Sequence, residues 1–243
     1  ERWCLWLVGI QPSQLRKMPL VLKRVDAVQR FRAASTADPT RKAAERAAEF
    51  FYISQPATSY VVVPEVSSER RRYIPMGFLS ADVICSNTNY LVPDAGEFTF
   101  GVLTSAMHMA WTNAVCGRLK SDYRYSGSIV YNNFPWPEIA DQKYRTGIET
   151  AAQGVLDARV RFPDSTLADL YDPLTMPPAL VKAHQQLDKM VDAAYLAAEK
   201  TAGRKPPKLG TDAERVAFLF ERYQQLVSIL PPEKPKRRVR QSS

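Results

Sequence analysis

Residues 118–137 read RLKSDYRYSGSIVYNNFPWP. Charged and aromatic residues alternate at its start, β-branched Ile129 and Val130 follow, and Pro135 and Pro137 close it, so the stretch reads as a loop and a strand. Just before it, FTFGVLTSAMHMAWTNAVCG (98–117) is an apolar run that predicts a helix over about residues 100–116, with Gly117 as its C-cap. Residues 51–100 carry short β-branched or aromatic runs at 51–53, 60–66 and 73–79, interrupted by Pro56, Pro64 and Pro75 as in strands near a sheet edge. Runs at 81–86 and 89–92 extend the pattern. The first ten residues mix Trp, Cys, Leu and Val as a buried strand does, and Leu22, Val25, Val28 and Phe31 recur at helical spacing after Pro19. A second short helix fits residues 40–50. The expected class is α+β, a mixed strand and helix domain.

Downstream of Pro137 the period becomes almost wholly helical. Residues 138–161, 177–200 and 211–230 each place apolar side chains on one face, and Pro-rich links join them, so three packed helices are expected. The chain therefore divides into a first domain at 1–137, a small helical domain at 138–230 and a basic tail at 231–243. That tail has almost no apolar content and is expected to be disordered without a polyanion.

The 243 residues are 45% hydrophobic and 24% charged, which fits a soluble globular chain. No apolar run approaches the roughly 18–20 residues of a membrane span, and no signal peptide opens the chain, so a cytoplasmic protein without membrane partners is expected. Glu1 has no initiator Met before it, and the chain reads as an excised piece of a larger protein. Cys4, Cys85 and Cys116 form no CxxC pair, which predicts reduced, buried thiols in place of a disulfide framework or zinc site, and His108 and His184 cannot by themselves complete a tetrahedral metal site. The net charge of +8 is uneven: +5 over 1–137, −1 over 138–230 and +4 over 231–243. Two basic regions around a neutral helical block point to a polyanionic partner, with nucleic acid the leading candidate.

Signatures of catalysis are missing. The sequence holds no GxGxxG, GxxxxGK[ST], HExxH or GxSxG motif. Asn132-Asn133-Phe134-Pro135-Trp136-Pro137 has the composition of the Asn-Pro-Pro-aromatic loop of amino-methylating enzymes but not its order, because Phe134 precedes the proline. A structural role fits it better, with Trp136 anchoring the domain junction. His108 lies in an apolar helix without a Ser, Cys or carboxylate partner at a telling spacing and reads as a packed histidine. Asp157, Asp164, Asp169 and Asp172 read as solvated faces. No catalytic residue is expected in this chain.

Two stretches can meet nucleic acid. Ser67-Ser68-Glu69-Arg70-Arg71-Arg72-Tyr73 lies between two predicted strands, and Arg118 to Ser126 lies between helix and strand. Arg bonds guanine O6 and N7 or bridges phosphates, Asp accepts from cytosine N4, and hydroxyls anchor phosphate oxygens. Three successive arginines also suit a solvated turn. If KSDYRY is extended, Lys120, Asp122 and Arg124 point one way and Ser121, Tyr123 and Tyr125 the other, so three charged side chains face one groove.

RWCLWL (2–7), LKRVDAVQRFRAAS (22–35), VVVPEVSSERRRYIPMGF (61–78), FGVLTSAMHMAW (100–111), GRLKSDYRYS (117–126) and IVYNNFPWP (129–137) resemble, in that order, the target-recognition region of MmeI-like type II restriction-modification enzymes and related adenine-specific DNA methyltransferases. Residues 138–230 resemble the helical C-terminal domain that follows it. The resemblance implies double-stranded DNA as partner and an upstream methyltransferase domain in the same chain, often with an endonuclease. It implies that S-adenosylmethionine serves adenine-N6 methylation there, with no cofactor held by these residues. It places the base-reading role on Lys120 and Asp122, with a further contact from Arg124 and another contact region around Asn87 and Thr88. Arg70, Arg71 and Arg72 then position phosphates, with Ser67, Ser68 and Tyr123 supplying hydroxyls. The rival reading is a protein-protein interaction module whose helical block docks onto partner subunits and whose basic patches only keep the chain in solution.

Overall fold

The computed structural model describes residues 3–228, so the basic tail and the last residues of the third predicted helix lie outside the described residues. The chain forms two compact units, Glu1–Gln55 and Pro56–Ser243.

The first unit is helical. It contains α1 (Pro12–Leu15), α2 (Pro19–Ala33), α3 (Asp38–Lys42) and a 3-10 turn, Ala43–Arg46. Pro19 opens α2 where its missing N–H costs nothing. The helix read at 40–50 is split, because the Arg32 guanidinium takes the carbonyls of Ala43, Arg46 and Glu49 at 3.0, 2.9 and 2.9 Å. The strand expected in the first ten residues does not form: Trp3 is 92% exposed, and Trp6 stacks on Phe50 at 5.6 Å between ring centroids. Residues 51–53 are not a strand either; Phe51 and Tyr52 meet edge to face instead. Neither segment has a partner strand within its unit among the described residues, and an unpaired strand leaves its backbone groups unsatisfied.

The second unit carries two small antiparallel sheets on a helical core. In the first, β1 (Tyr60–Pro64) is central, between β3 (Gly77–Leu79) and β4 (Asn89–Pro93). In the second, β6 (Asp122–Arg124) is central, between β2 (Val66–Ser67) and β5 (Gly117–Leu119). The run at 73–79 gives a strand only from Gly77, because Tyr73, Ile74 and Met76 are buried in the core instead. Residues 81–86 form turns and not a strand. The helix read at 100–116 is two helices, α4 (Glu97–Leu103) and α5 (Ala106–Val115). Between them Thr104 Oγ1 bonds back to Phe100 O at 2.8 Å, and Ser105 caps α5 through His108 N. Gly117 is not a C-cap: Cys116 leaves the helix in extended conformation and Gly117 opens β5. A π-helical turn, Gly127–Tyr131, stands where residues 129–130 read as strand.

The helical block is α6 (Gln142–Val160), the short α7 (Leu167–Leu170), α8 (Pro178–Thr201) and α9 (Asp212–Val227). Thr166 and Thr211 open α7 and α9 with reciprocal capping boxes. The two sides of residue 137 share one core, since α4 packs on α6 and α5 on α9. Trp111 of α5 meets Phe220 and Tyr223 of α9, and its Nε1 donates to Val130 O at 3.0 Å. Where α4 crosses the block, a Cβ on Gly101 would lie 2.9 Å from Ile148 Cγ2 and 3.1 Å from Ala152 Cβ. Gly101→Ala is therefore expected to cost about 1–3 kcal/mol by overpacking, read as a lowered denaturation midpoint at unchanged m-value. Wild-type stability in that variant would show that the helices separate freely there.

Buried polar groups join the same elements. Asp188 of α8 accepts from Tyr73 Oη and from Ala106 N, both at 2.7 Å. Arg159 of α6 donates to Met76 O at 2.7 Å and to Tyr171 Oη, its guanidinium lying over the rings of Phe100 and Tyr171. Tyr171 Oη in turn meets His184 Nε2 at 2.7 Å, and His184 stacks on Tyr73 at 4.0 Å. Trp136 is half-buried, edge-on to Tyr131 and Phe134 at the junction. His108 is buried, 3.0 Å from Tyr125 Oη, and burial lowers its pKa to about 3, which suits a packed histidine. The thiols are unpaired, but Cys4 is exposed and Cys85 and Cys116 only half-buried, against the expectation of burial; the last two reach surfaces left by short strands and turns. Among the described residues no helix is long and apolar enough to cross a membrane, and no cluster of His, Cys, Asp and Glu could hold a metal ion.

Candidate nucleic-acid interface

Glu65, which sequence reasoning missed, is the meeting point of the three stretches singled out above. It joins β1 to β2. Its N–H donates to Thr88 O at 3.0 Å, its carbonyl accepts from Tyr125 N at 2.7 Å, and its carboxylate pairs with Arg124 Nε at 3.3 Å. The Thr88 turn, the β2 edge and the end of β6 are thereby drawn together. Pro64 permits this arrangement, since it ends β1 without an N–H to continue the ladder.

The 117–126 stretch is a hairpin. Leu119 pairs with Asp122, Arg118 with Tyr123 and Gly117 with Arg124, leaving Lys120 and Ser121 as a two-residue loop. Lys120 is exposed at the tip with φ +57°, a conformation that favours glycine or asparagine. The expected alternation thus holds only for β6: Asp122 and Arg124 share one face, while Tyr123 and Tyr125 are buried on the other, 5% and 1% exposed. Lys120 stands at the tip of the loop and not on a strand.

The arginine loop is tied to this hairpin by Asp122, whose Oδ1 accepts from Glu69 N at 3.2 Å. Ser68 shapes the loop, its carbonyl accepting from Arg71 N and its Oγ from Arg70 N. Arg70 is exposed and Arg71 half-buried. Arg72 lies over the Tyr73 ring at 5.4 Å, and its charge eases ionisation of Asp188. Ser67 is 3% exposed with its Oγ buried, so that hydroxyl does not stand open to a phosphate, and Tyr123 is 5% exposed with its ring covered by Arg118. Asn87 and Thr88 are exposed, with Thr88 Oγ1 3.0 Å from Ser86 Oγ.

One further residue belongs to the hairpin. Arg118 places its guanidinium 4.3 Å from the centre of the Tyr123 ring, and it bonds Asn113 Oδ1 at 2.7 Å and Ser121 O at 3.3 Å. Only the hairpin register exposes this role, because Arg118 and Tyr123 are five positions apart in the chain yet face each other across the strands.

A small mixed sheet and helix module, seated on a helical block and carrying a loop-borne polar rim, has the form of a recognition module. The family described as "MmeI, target recognition domain" matches residues 1–138, and "MmeI, C-terminal domain" matches residues 140–231, so the chain belongs to the MmeI family. DNA methyltransferase A of Bacillus subtilis (strain 168) is 40% identical over 225 residues, 93% of this chain and 24% of that protein. A solved structure of the Type IIL restriction-modification enzyme MmeI in complex with DNA is similar at TM-score 0.84 and 50% identity, covering 92% of this chain and 29% of that one. The chain spans about a quarter of the length of these relatives.

Proposed function

We propose that the chain reads a duplex DNA sequence on behalf of an adenine-N6 DNA methyltransferase of a restriction-modification or phage-defence system, with catalysis supplied by the remainder of a longer cytoplasmic protein. The observation that carries this reading is the convergence of the Lys120–Arg124 hairpin, the Ser68–Arg71 loop and the Thr88 turn around Glu65, in a chain of the MmeI family. Lys120 donates to guanine and Asp122 accepts from cytosine of one base pair, with the exposed tip entering the major groove. Arg124, held by an exposed ion pair that contributes only about 0–1 kcal/mol, exchanges Glu65 for a base edge at little cost. Asn87 and Thr88 stand on the neighbouring turn as further base contacts. Arg70 and Arg71 clamp phosphates, with Arg72 and Ser68 beside them. A lysine at a positive φ, where glycine would be less strained, fits a side chain used for its contacts.

S-adenosylmethionine belongs to the remainder of the protein.

Binding-site selection on the complete protein tests the division of roles. Lys120→Ala and Asp122→Ala are each expected to cost about 1–3 kcal/mol and to relax preference at one base pair. Arg71→Ala is expected to weaken all sequences alike and to lower the slope of log K against log salt by about 1. An affinity indifferent to sequence in the unaltered protein would overturn the proposal and favour a protein-docking role for the helical block.

A further inference from the structure

We infer that Arg118 is a positioning residue for the reading loop, clamping the Lys120–Ser121 tip to the end of α5 so that Lys120 and Asp122 keep a fixed aim. This deepens the function proposed above and rests on it. An exposed arginine beside a DNA-reading loop would ordinarily be assigned to a phosphate. Here the guanidinium is already engaged on three sides. One terminal nitrogen donates to Asn113 Oδ1 at 2.7 Å and lies 3.4 Å from Asn113 O, within the last turn of α5. The other donates to Ser121 O at 3.3 Å, a carbonyl of the loop itself. The flat face lies on Tyr123, whose ring is buried and therefore fixed.

Each anchor has a distinct effect. Carbonyls at the C-terminal end of a helix carry partial negative charge, so α5 holds the cation without a carboxylate. The Ser121 bond ties the loop to that helix end. Stacking on Tyr123, the residue between Asp122 and Arg124, sets the plane of the strand that carries both. The loop needs such a clamp because the lysine backbone at φ +57° is not its own minimum, and a two-residue tip without glycine relaxes toward other turns when released. A lysine at 118 keeps the charge but neither the fork nor the flat face.

The test measures, on the complete protein, the ratio of Kd for the selected duplex to Kd for a duplex with the hairpin-read base pair reversed. Arg118→Ala is expected to reduce that discrimination about tenfold, the equivalent of one good base contact, while affinity for mixed-sequence DNA and its salt slope stay unchanged. Arg118→Lys is expected to lose discrimination almost as far although its charge remains, and Asn113→Ala to lose less. Unchanged discrimination in Arg118→Lys, or a salt slope lowered by about 1 with equal weakening on every duplex in Arg118→Ala, would overturn the inference in favour of a phosphate contact. Lys120→Ala and Asp122→Ala run in parallel separate the two levels: if they also leave discrimination intact, the reading of the hairpin fails; if they abolish it and the Arg118 variants do not, only the clamp fails.

Discussion

Asp188→Ala is expected to lower the free energy of unfolding by about 3–5 kcal/mol, measured by denaturant titration at neutral pH. The carboxylate is 7% exposed and satisfies two donors from the other side of residue 137, the Tyr73 hydroxyl and the first free N–H of α5. Hydrogen bonds to a charged acceptor contribute about 1.5–3 kcal/mol each, and truncation leaves both donors buried without a partner. Asp188→Asn keeps one acceptor oxygen and should recover part of the loss. Burial pushes the Asp188 pKa up, although the Tyr73 and Ala106 bonds pull it down. Its folded pKa lies above the unfolded value, so its contribution is full below the usual carboxylate range and declines as pH rises through the raised pKa. The advantage of wild type over Asp188→Asn should therefore shrink as pH rises from 3 to 7. An advantage that grows over that interval would mean that the ionised form is the one the fold prefers.

The second large effect concerns acid. His184 is fully buried between Tyr73 and Tyr171, and burial, assisted by the charge of Arg159, lowers its pKa to about 3. A histidine with a depressed folded pKa stabilises the fold fully above the unfolded value near 6.5. That contribution is lost as pH falls toward 3, because the unfolded chain takes up a proton that the folded chain refuses. Each pH step below 6.5 should cost about 1.4 kcal/mol per such group, and His108 behaves alike. Comparing wild type with His184→Gln isolates one group from the opposing response of the buried carboxylates. The stability difference, wild type minus variant, should fall by several kcal/mol between pH 6.5 and 4. A difference independent of pH would show that His184 titrates alike in the folded and unfolded chain.

The helical half of this architecture was legible because long amphipathic runs with threonine caps and proline starts carry redundant signals: α6 and α9 lie within two of the three runs read from spacing, and α8 passes the end of the third by one residue. The strands were less legible. Tyr73, Ile74 and Met76 have strand composition but are used as core filling, and Trp3 to Val8 resemble a strand that has no partner in its unit among the described residues. Pairing is non-local, and local residue preference cannot announce it. The break at Thr104 was visible only as a Thr-Ser pair inside an apolar run; what fixes it is Asp188, 82 residues beyond Ala106. In the candidate interface, side-chain chemistry pointed to Lys120, Asp122 and Arg124, but Glu65 and Arg118 emerge only from register. Ser67 and Tyr123 were placed on the interface by their hydroxyls, yet an alternating strand turns every second side chain inward.

The left-handed backbone of Lys120 limits the alphabet open to that position during divergence. Glycine, asparagine and aspartate tolerate such torsions, straight-chain lysine and its like accept a modest penalty, and valine, isoleucine and threonine are excluded by their branched β-carbon. Relatives that change the target at this contact are thus steered toward unbranched polar side chains, and new preferences would arise from exchanging charge and reach at the tip while the scaffold beneath stays as it is.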